Sequence, residues 1–164
     1  MRKASEQLWR SLAKTKTAWP RHRTLRVLQI CDAPLADLIA AENAGQVELV
    51  VLEEAAGSLD RARRRLASFA NVTVLDVASQ VPAGIFDLIV SAHGLHRLPA
   101  GFTLEGIRSL LAPAGFFAAI EPLPSLFKDI AFGFDPAWFA KSIDGFPIGA
   151  LQSGEHWLND LSRA

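Results

Sequence analysis

Leu25-Arg-Val-Leu-Gln-Ile30, then Cys31-Asp-Ala-Pro34, then Leu35-Ala-Asp-Leu-Ile-Ala40 is the stretch that decides the fold, because its periodicity changes halfway. The first six residues are apolar with almost no alternation, as in a strand covered on both faces. Asp32 is a good helix N-cap and Pro34 suits a first helical turn, so the spacing predicts a helix over Leu35–Asn43. The same strand-then-helix unit recurs along the chain. Short apolar runs at Leu25–Ile30 (β1), Val47–Leu52 (β2), Val72–Leu75 (β3), Phe86–Ala92 (β4) and Phe116–Ile120 (β5) read as strands. Between them, Leu35–Asn43, Leu59–Phe69 and Phe102–Leu111 carry apolar residues at helical spacing, and Asn43-Ala-Gly45, Ser58 and Pro113-Ala-Gly115 supply stops, starts and turns. Such alternation predicts an α/β fold with a parallel sheet. Right-handed crossovers then favour the strand order 3-2-1-4-5, with β5 as an edge strand.

The 164 residues, half of them hydrophobic and 21% charged, suit one globular domain with a real core. A single cysteine, Cys31, excludes an internal disulfide, and no Cys or His spacing suggests a structural metal. No run reaches the ~18 apolar residues of a spanning helix, and the amino terminus lacks a signal-peptide pattern, so a reducing, cytoplasmic setting without membrane association is expected. Charge is uneven. Residues 1–26 hold eight basic groups against Glu6, and the remainder holds nine against sixteen acids, a net of +7 followed by −7. Trp9, Leu12 and Trp19 interrupt the basic segment and no recognition motif follows, so residues 1–23 read as a partly helical leader (Ser5 to Lys14) that packs against a domain spanning 24–164, with no nucleic-acid role. The Arg61–Arg65 cluster reads as the solvated side of a helix whose apolar side is Leu59, Ala62, Leu66 and Phe69. Beyond β5, Leu126 to Phe139 is an aromatic-rich helical stretch broken by Gly133 and Pro136, read as core and, equally, as a lid over an apolar substrate; no strand is evident after it.

In open parallel sheets the ligand lies outside the carboxyl ends of the strands, where the order reverses. The residues there are Cys31 to Ala36, Glu53 and Glu54, Asp76, His93 and His96, and Glu121. A histidine four residues beyond β4 and a carboxylate at the tip of β5 can meet, because neighbouring strands lie ~4.8 Å apart. Each of these residues also has a plain structural reading: strand-end acids and caps for Glu53, Glu54 and Asp76, a partly buried satisfied histidine for His96, a small buried side chain for Cys31.

Leu25 to Ile30, Val47 to Glu53, Val74-Leu-Asp76, Phe86 to Val90, Leu95-His96, Leu110 to Gly115 and Glu121 together resemble the class I S-adenosylmethionine-dependent methyltransferases. Leu95-His96 with Ile120-Glu121, followed by Phe132-Gly-Phe-Asp-Pro-Ala-Trp-Phe139 and Glu155-His-Trp157, is similar to the C-methyltransferase domains of modular polyketide and fatty acid synthases, over residues 24–161. The resemblance implies a Rossmann-like sheet that stops before the usual carboxyl-terminal hairpin beside β5, and a cytoplasmic synthase domain working with an acyl carrier protein and neighbouring synthase domains. It implies S-adenosylmethionine as cofactor, against Cys31, Ala33, Glu53 (ribose hydroxyls) and Asp76 (adenine amine). His96 is the implied general base, oriented by Glu121.

The chain departs from that pattern after β1. Gln29 stands where an acid is usual, and Cys31, Ala33 and Leu35 replace the glycines that let the backbone approach the cofactor. Leucine and alanine adopt φ > 0 only at a cost of ~1 kcal/mol or more, so the loop is expected to run straight into its helix. Leu35 is then expected to occupy or narrow the cofactor pocket, with Glu53 facing solvent or a cation. Three readings follow: a pseudo-methyltransferase with impaired cofactor binding and a structural or docking role; an active C-methyltransferase acting on the α-carbon of a carrier-bound β-ketoacyl chain; and a Rossmann-like binding module for another nucleotide.

Overall fold

The computed structural model describes residues 2–31, 34–42, 46–53, 56–76, 81–97, 103–135, 138–139, 141–143 and 146–164. The chain divides into two compact units, Met1–Ile120 and Glu121–Ala164. No helix among the described residues is long and apolar enough to cross a membrane.

The first unit is built on a five-stranded parallel sheet of order β3-β2-β1-β4-β5. β1 to β4 begin and end where their apolar runs do, at Leu25–Ile30, Val47–Leu52, Val72–Leu75 and Phe86–Ala92. All seven residues of β4 are buried, as its unbroken run requires when both faces are covered. The crossover helices are α2 (Pro34–Glu42), α3 (Ala56–Leu66) and α4 (Leu104–Leu110). In α3, Leu59, Ala62 and Leu66 are buried and the arginines from 61 to 65 are exposed, so the cluster is the helix's solvated side.

The basic leader forms α1 (Arg2–Ala18), longer than its apolar spacing suggested. Leu8, Trp9 and Leu12, at i, i+1 and i+4, form its buried side and enter the same core as Val27, Leu35, Ile39 and Val90. A polar clasp fixes the return from α1 to β1. Asp87 of β4, 5% exposed, accepts hydrogen bonds from the Arg26 backbone N–H (3.0 Å) and from the Arg23 guanidinium. Arg23 in turn lies over the Trp19 ring at 4.7 Å, and the Trp19 indole N–H donates to the Arg23 carbonyl at 2.8 Å. The buried carboxylate is thus paired and hydrogen-bonded, the condition under which burial of a charge is tolerated.

β5 departs from expectation at its start. It runs from Leu111 to Ile120, and Pro113-Ala-Gly115 is an excursion within it rather than a turn before it. Phe86 pairs with Leu111 but Leu88 pairs with Phe116, so the sheet absorbs three extra residues on β5 there. Ala114 takes φ 66° in this bulge. A Cβ on Gly115 would come 2.7 Å from the Phe86 carbonyl oxygen, so only glycine fits against β4. Among the described residues β5 is the sheet's edge strand.

The second unit corrects two expectations. Its helix α5 spans only Leu126–Phe132, with Ser125 as N-cap and Gly133 at its end. Leu126, Phe127, Ile130, Phe132 and Phe134 are exposed rather than core; Trp138 alone of the aromatic stretch is buried, its indole N–H donating to Asp129 at 2.9 Å. Strands also follow α5: β6 (Lys141–Ile143) and β7 (Phe146–Ile148) pair antiparallel in a sheet of their own, before α6 (Gly154–Arg163). Three-residue strands fall below the length at which periodicity is legible.

The bulge in β5 gives a paired test by thermal or denaturant unfolding. Ala114→Gly removes the left-handed strain and is expected to raise stability by about 0.5–1 kcal/mol. Gly115→Ala drives a methyl into the Phe86 carbonyl and is expected to lower it by about 1–3 kcal/mol.

Candidate functional site

Three of the five parallel strands, β1, β2 and β4, extend their ladders by one bond beyond their carboxyl ends. Cys31 N–H donates to Leu52 O (2.9 Å), Glu53 N–H to Leu75 O (2.9 Å) and His93 N–H to Ile120 O (2.8 Å). These bonds fix the backbone of three expected site residues along one edge, beside the β1/β4 boundary where strand order reverses. Asp76, directly after β3, is half-buried at the same edge.

The turn after β1 is not what the loss of glycines predicted. Cys31 adopts φ 59°, the left-handed conformation a glycine would take, instead of running straight into α2. Three bonds hold it there: its ladder bond to Leu52, a bond to its carbonyl from the buried Gln29 side-chain N–H (3.1 Å), and a weak one from its thiol to the Gly94 carbonyl (3.7 Å). The Gln29 amide also donates to Ile30 O at 3.1 Å. Gln29 therefore ties the turn from beneath. Asp32, Ala33 and Glu54 lie outside the described residues, and α2 begins at Pro34.

Leu35 is fully buried in the hydrophobic core with Ala36 and Ile39. One further expectation is corrected. Glu53 is 6% exposed rather than facing solvent. Its place one residue beyond β2 leaves its backbone in the sheet's ladder.

Composition did not reveal Gly94 and Ser91. A Cβ on Gly94 would lie 2.9 Å from Ser91 Oγ, 3.0 Å from Ile30 O and 3.1 Å from Cys31 Cβ. Gly94 thus lets the turn after β4 press against the end of β1, and the Cys31 side chain fills the remaining space. The legible signal was a glycine two residues past an apolar strand. Around this contact, Gln29 Oε1 and Ser91 Oγ are buried and make no hydrogen bond among the described residues. Buried polar atoms of this kind mark a place suited to a polar guest.

His96 is half-buried in a short 3-10 turn, Leu95–Arg97, whose Leu95 is buried. Glu121 follows Ile120, the β5 partner of Ala92, and is the first residue of the second unit. His93 takes φ 61° directly after β4, which turns the chain toward Gly94.

Gly94→Ala is expected to cost about 1–3 kcal/mol, because the methyl has backbone and Ser91 on three sides. Leu35→Ala is expected to cost about 2–5 kcal/mol, as for any large core side chain, and an exposed groove residue would cost far less. Chemical denaturation of both variants checks the placement.

No family model matches the chain, and neither does any curated protein. Solved structures do. The carbon methyltransferase of CurJ aligns with a TM-score of 0.77 at 22% identity, over 93% of this chain and 44% of that one. The CMeT domain of the citrinin polyketide synthase aligns with a TM-score of 0.75 at 21% identity, over 93% and 43%. Phosphoethanolamine N-methyltransferase 2 of Haemonchus contortus, solved with S-adenosyl-L-methionine, aligns with a TM-score of 0.65 at 18% identity, over 94% and 36%. The chain spans less than half the length of each of these structures. With the strand order 3-2-1-4-5 and the site at its reversal, the chain has the fold of the class I methyltransferases, of the form seen in polyketide synthase C-methyltransferase domains.

Proposed function

We propose that the chain is a pseudo-methyltransferase domain of a polyketide synthase, with impaired S-adenosylmethionine binding and a structural or docking role among neighbouring synthase domains. The observation that carries this reading is the contact of Cys31 with Gly94. In this fold the end of β1 is where glycine lets the cofactor's methionyl part approach the backbone. Here Cys31 brings a Cβ and a sulfur to that place, and Gly94 has already closed on it from β4. On this reading the fit to the cofactor is partial: Glu53 and Asp76, at the ends of β2 and β3, are suited to ribose hydroxyls and the adenine amine, and at the methionyl end the Cys31 side chain takes up space that a glycine would leave. Ala33 belongs to the same expected contact surface.

A second reading, an active C-methyltransferase for a carrier-bound β-ketoacyl chain, is favoured by the buried, unbonded Gln29 Oε1 and Ser91 Oγ, which suit a polar guest at the β1/β4 junction. In that reading His96 removes the proton between the two carbonyls. Glu121 holds the imidazole tautomer and supports its positive charge.

Titration calorimetry with S-adenosylmethionine separates the two. The native chain is expected to bind no tighter than on the order of millimolar. Cys31→Gly keeps the left-handed turn without strain and empties the methionyl space, so it is expected to bring binding into the measurable range. Micromolar binding by the native chain would sink the pseudo-methyltransferase reading. Failure of Cys31→Gly to gain any binding would show that the Cys31 contact is not the obstruction. Methyl transfer by the native chain to a β-ketoacyl carrier, lost in His96→Gln, would establish the second reading.

A further inference from the structure

We infer that the amino end of the sheet carries a separate binding site for a compact phosphate-class oxyanion. A cavity of about 420 Å³ opens there, lined by His22, Arg23, Thr24, Arg26, Ile85 and Asp87. These residues precede or open β1 and β4, so the cavity lies at the opposite end of the strands from Cys31 and Glu53. Its size is within the range of small-ligand sites, roughly 300–1,000 Å³.

The lining gathers hydrogen-bond donors that an anion can use. Asp87 is buried and holds the Arg23 guanidinium through one nitrogen, and the Trp19 ring supports that guanidinium from another side. Arg26 is held by its Nε, which donates to Glu48 at 3.3 Å. A guanidinium carries five N–H donors in a fixed fork, so each arginine keeps donors beyond its carboxylate contact, next to the Thr24 hydroxyl and the His22 ring. Asp87 and Glu48 offset the two arginine charges locally. Apart from Arg23 and Arg26, residues 1–26 hold six basic groups against Glu6, so the segment that supplies the lining carries a further net +5. Two guanidinium forks with donors to spare suit a small ion with several equivalent oxygens, such as pyrophosphate or the phosphate tail of a nucleoside diphosphate. An apolar wall at Ile85 leaves one side of the cavity without donors, which favours a compact ion over an extended polyanion.

The test is titration of the full chain with inorganic pyrophosphate and with ADP at constant ionic strength. Saturable single-site binding is expected, weakened about tenfold in Arg26→Gln, as for loss of one charge-assisted contact. Arg23→Gln would strand the buried Asp87 and endanger folding, so Arg26→Gln and His22→Ala carry the comparison, with melting temperature as the check on fold. ADP binding no tighter than pyrophosphate would mean that the site takes the phosphate alone, and tighter ADP binding would mean that the nucleoside adds contacts. S-adenosylmethionine is expected not to compete with either, so the result stands apart from that of the cofactor titration. Absence of saturable binding with both probes, or affinity unchanged in both variants, overturns the inference.

Discussion

The parallel pairing of β1 with β4 is the constraint on which the rest of the first unit depends. It reverses the strand order at β1, and it sets Val27 to Ile30 against Leu88 to Ser91 in a register that admits no slip without exposing a fully buried strand. Both ends of that pair are then closed by polar contacts. At the amino end Asp87 gathers Arg23 and the Arg26 N–H; at the carboxyl end Gln29 and Gly94 bind the turns that leave the two strands. The apolar middle supplies the driving force, and the amino end fixes the register, since a shifted strand would leave the buried Asp87 without the Arg26 N–H and Arg23 guanidinium.

Legibility in the sequence follows burial. β1, β2 and β4 were readable to the residue because strands largely buried on both faces must be apolar with little alternation, while β3, an edge strand that is only partly buried, was readable from its short Val-rich run and the turns around it. β5 was readable only in its second half. Its first residues, Leu111 to Gly115, contain proline and glycine, which ordinarily end a strand, and only the approach of Gly115 to the Phe86 carbonyl explains why they stay in the ladder. The second unit was least legible. Its aromatic residues suggested core by composition, yet Phe127 and Phe134 are 78% and 92% exposed, because a seven-residue helix and a hairpin of three-residue strands cannot enclose them.

The candidate site was legible as a set of positions and not as a geometry. Parallel topology alone delivers Cys31, Glu53, Asp76 and His93 to one edge, whatever their chemistry. What each does there depends on backbone angles and neighbours that spacing does not encode. Glu53 is withdrawn from solvent at the end of β2, and Leu35 turns inward because the first turn of α2 faces the core.

Cys31 shows how a parallel sheet can enforce the conformation of the turn that leaves it. A left-handed backbone at a cysteine carries strain of about 1 kcal/mol, which the turn would relieve if nothing else held it. Here the ladder bond to Leu52, the Gln29 amide and the close packing of Gly94 hold it. The turn thus keeps its shape for reasons internal to the sheet. A scaffold that fixes a loop through its own backbone bonds and packing leaves the side chain at that position free to change, because the shape of the loop does not depend on what that side chain does.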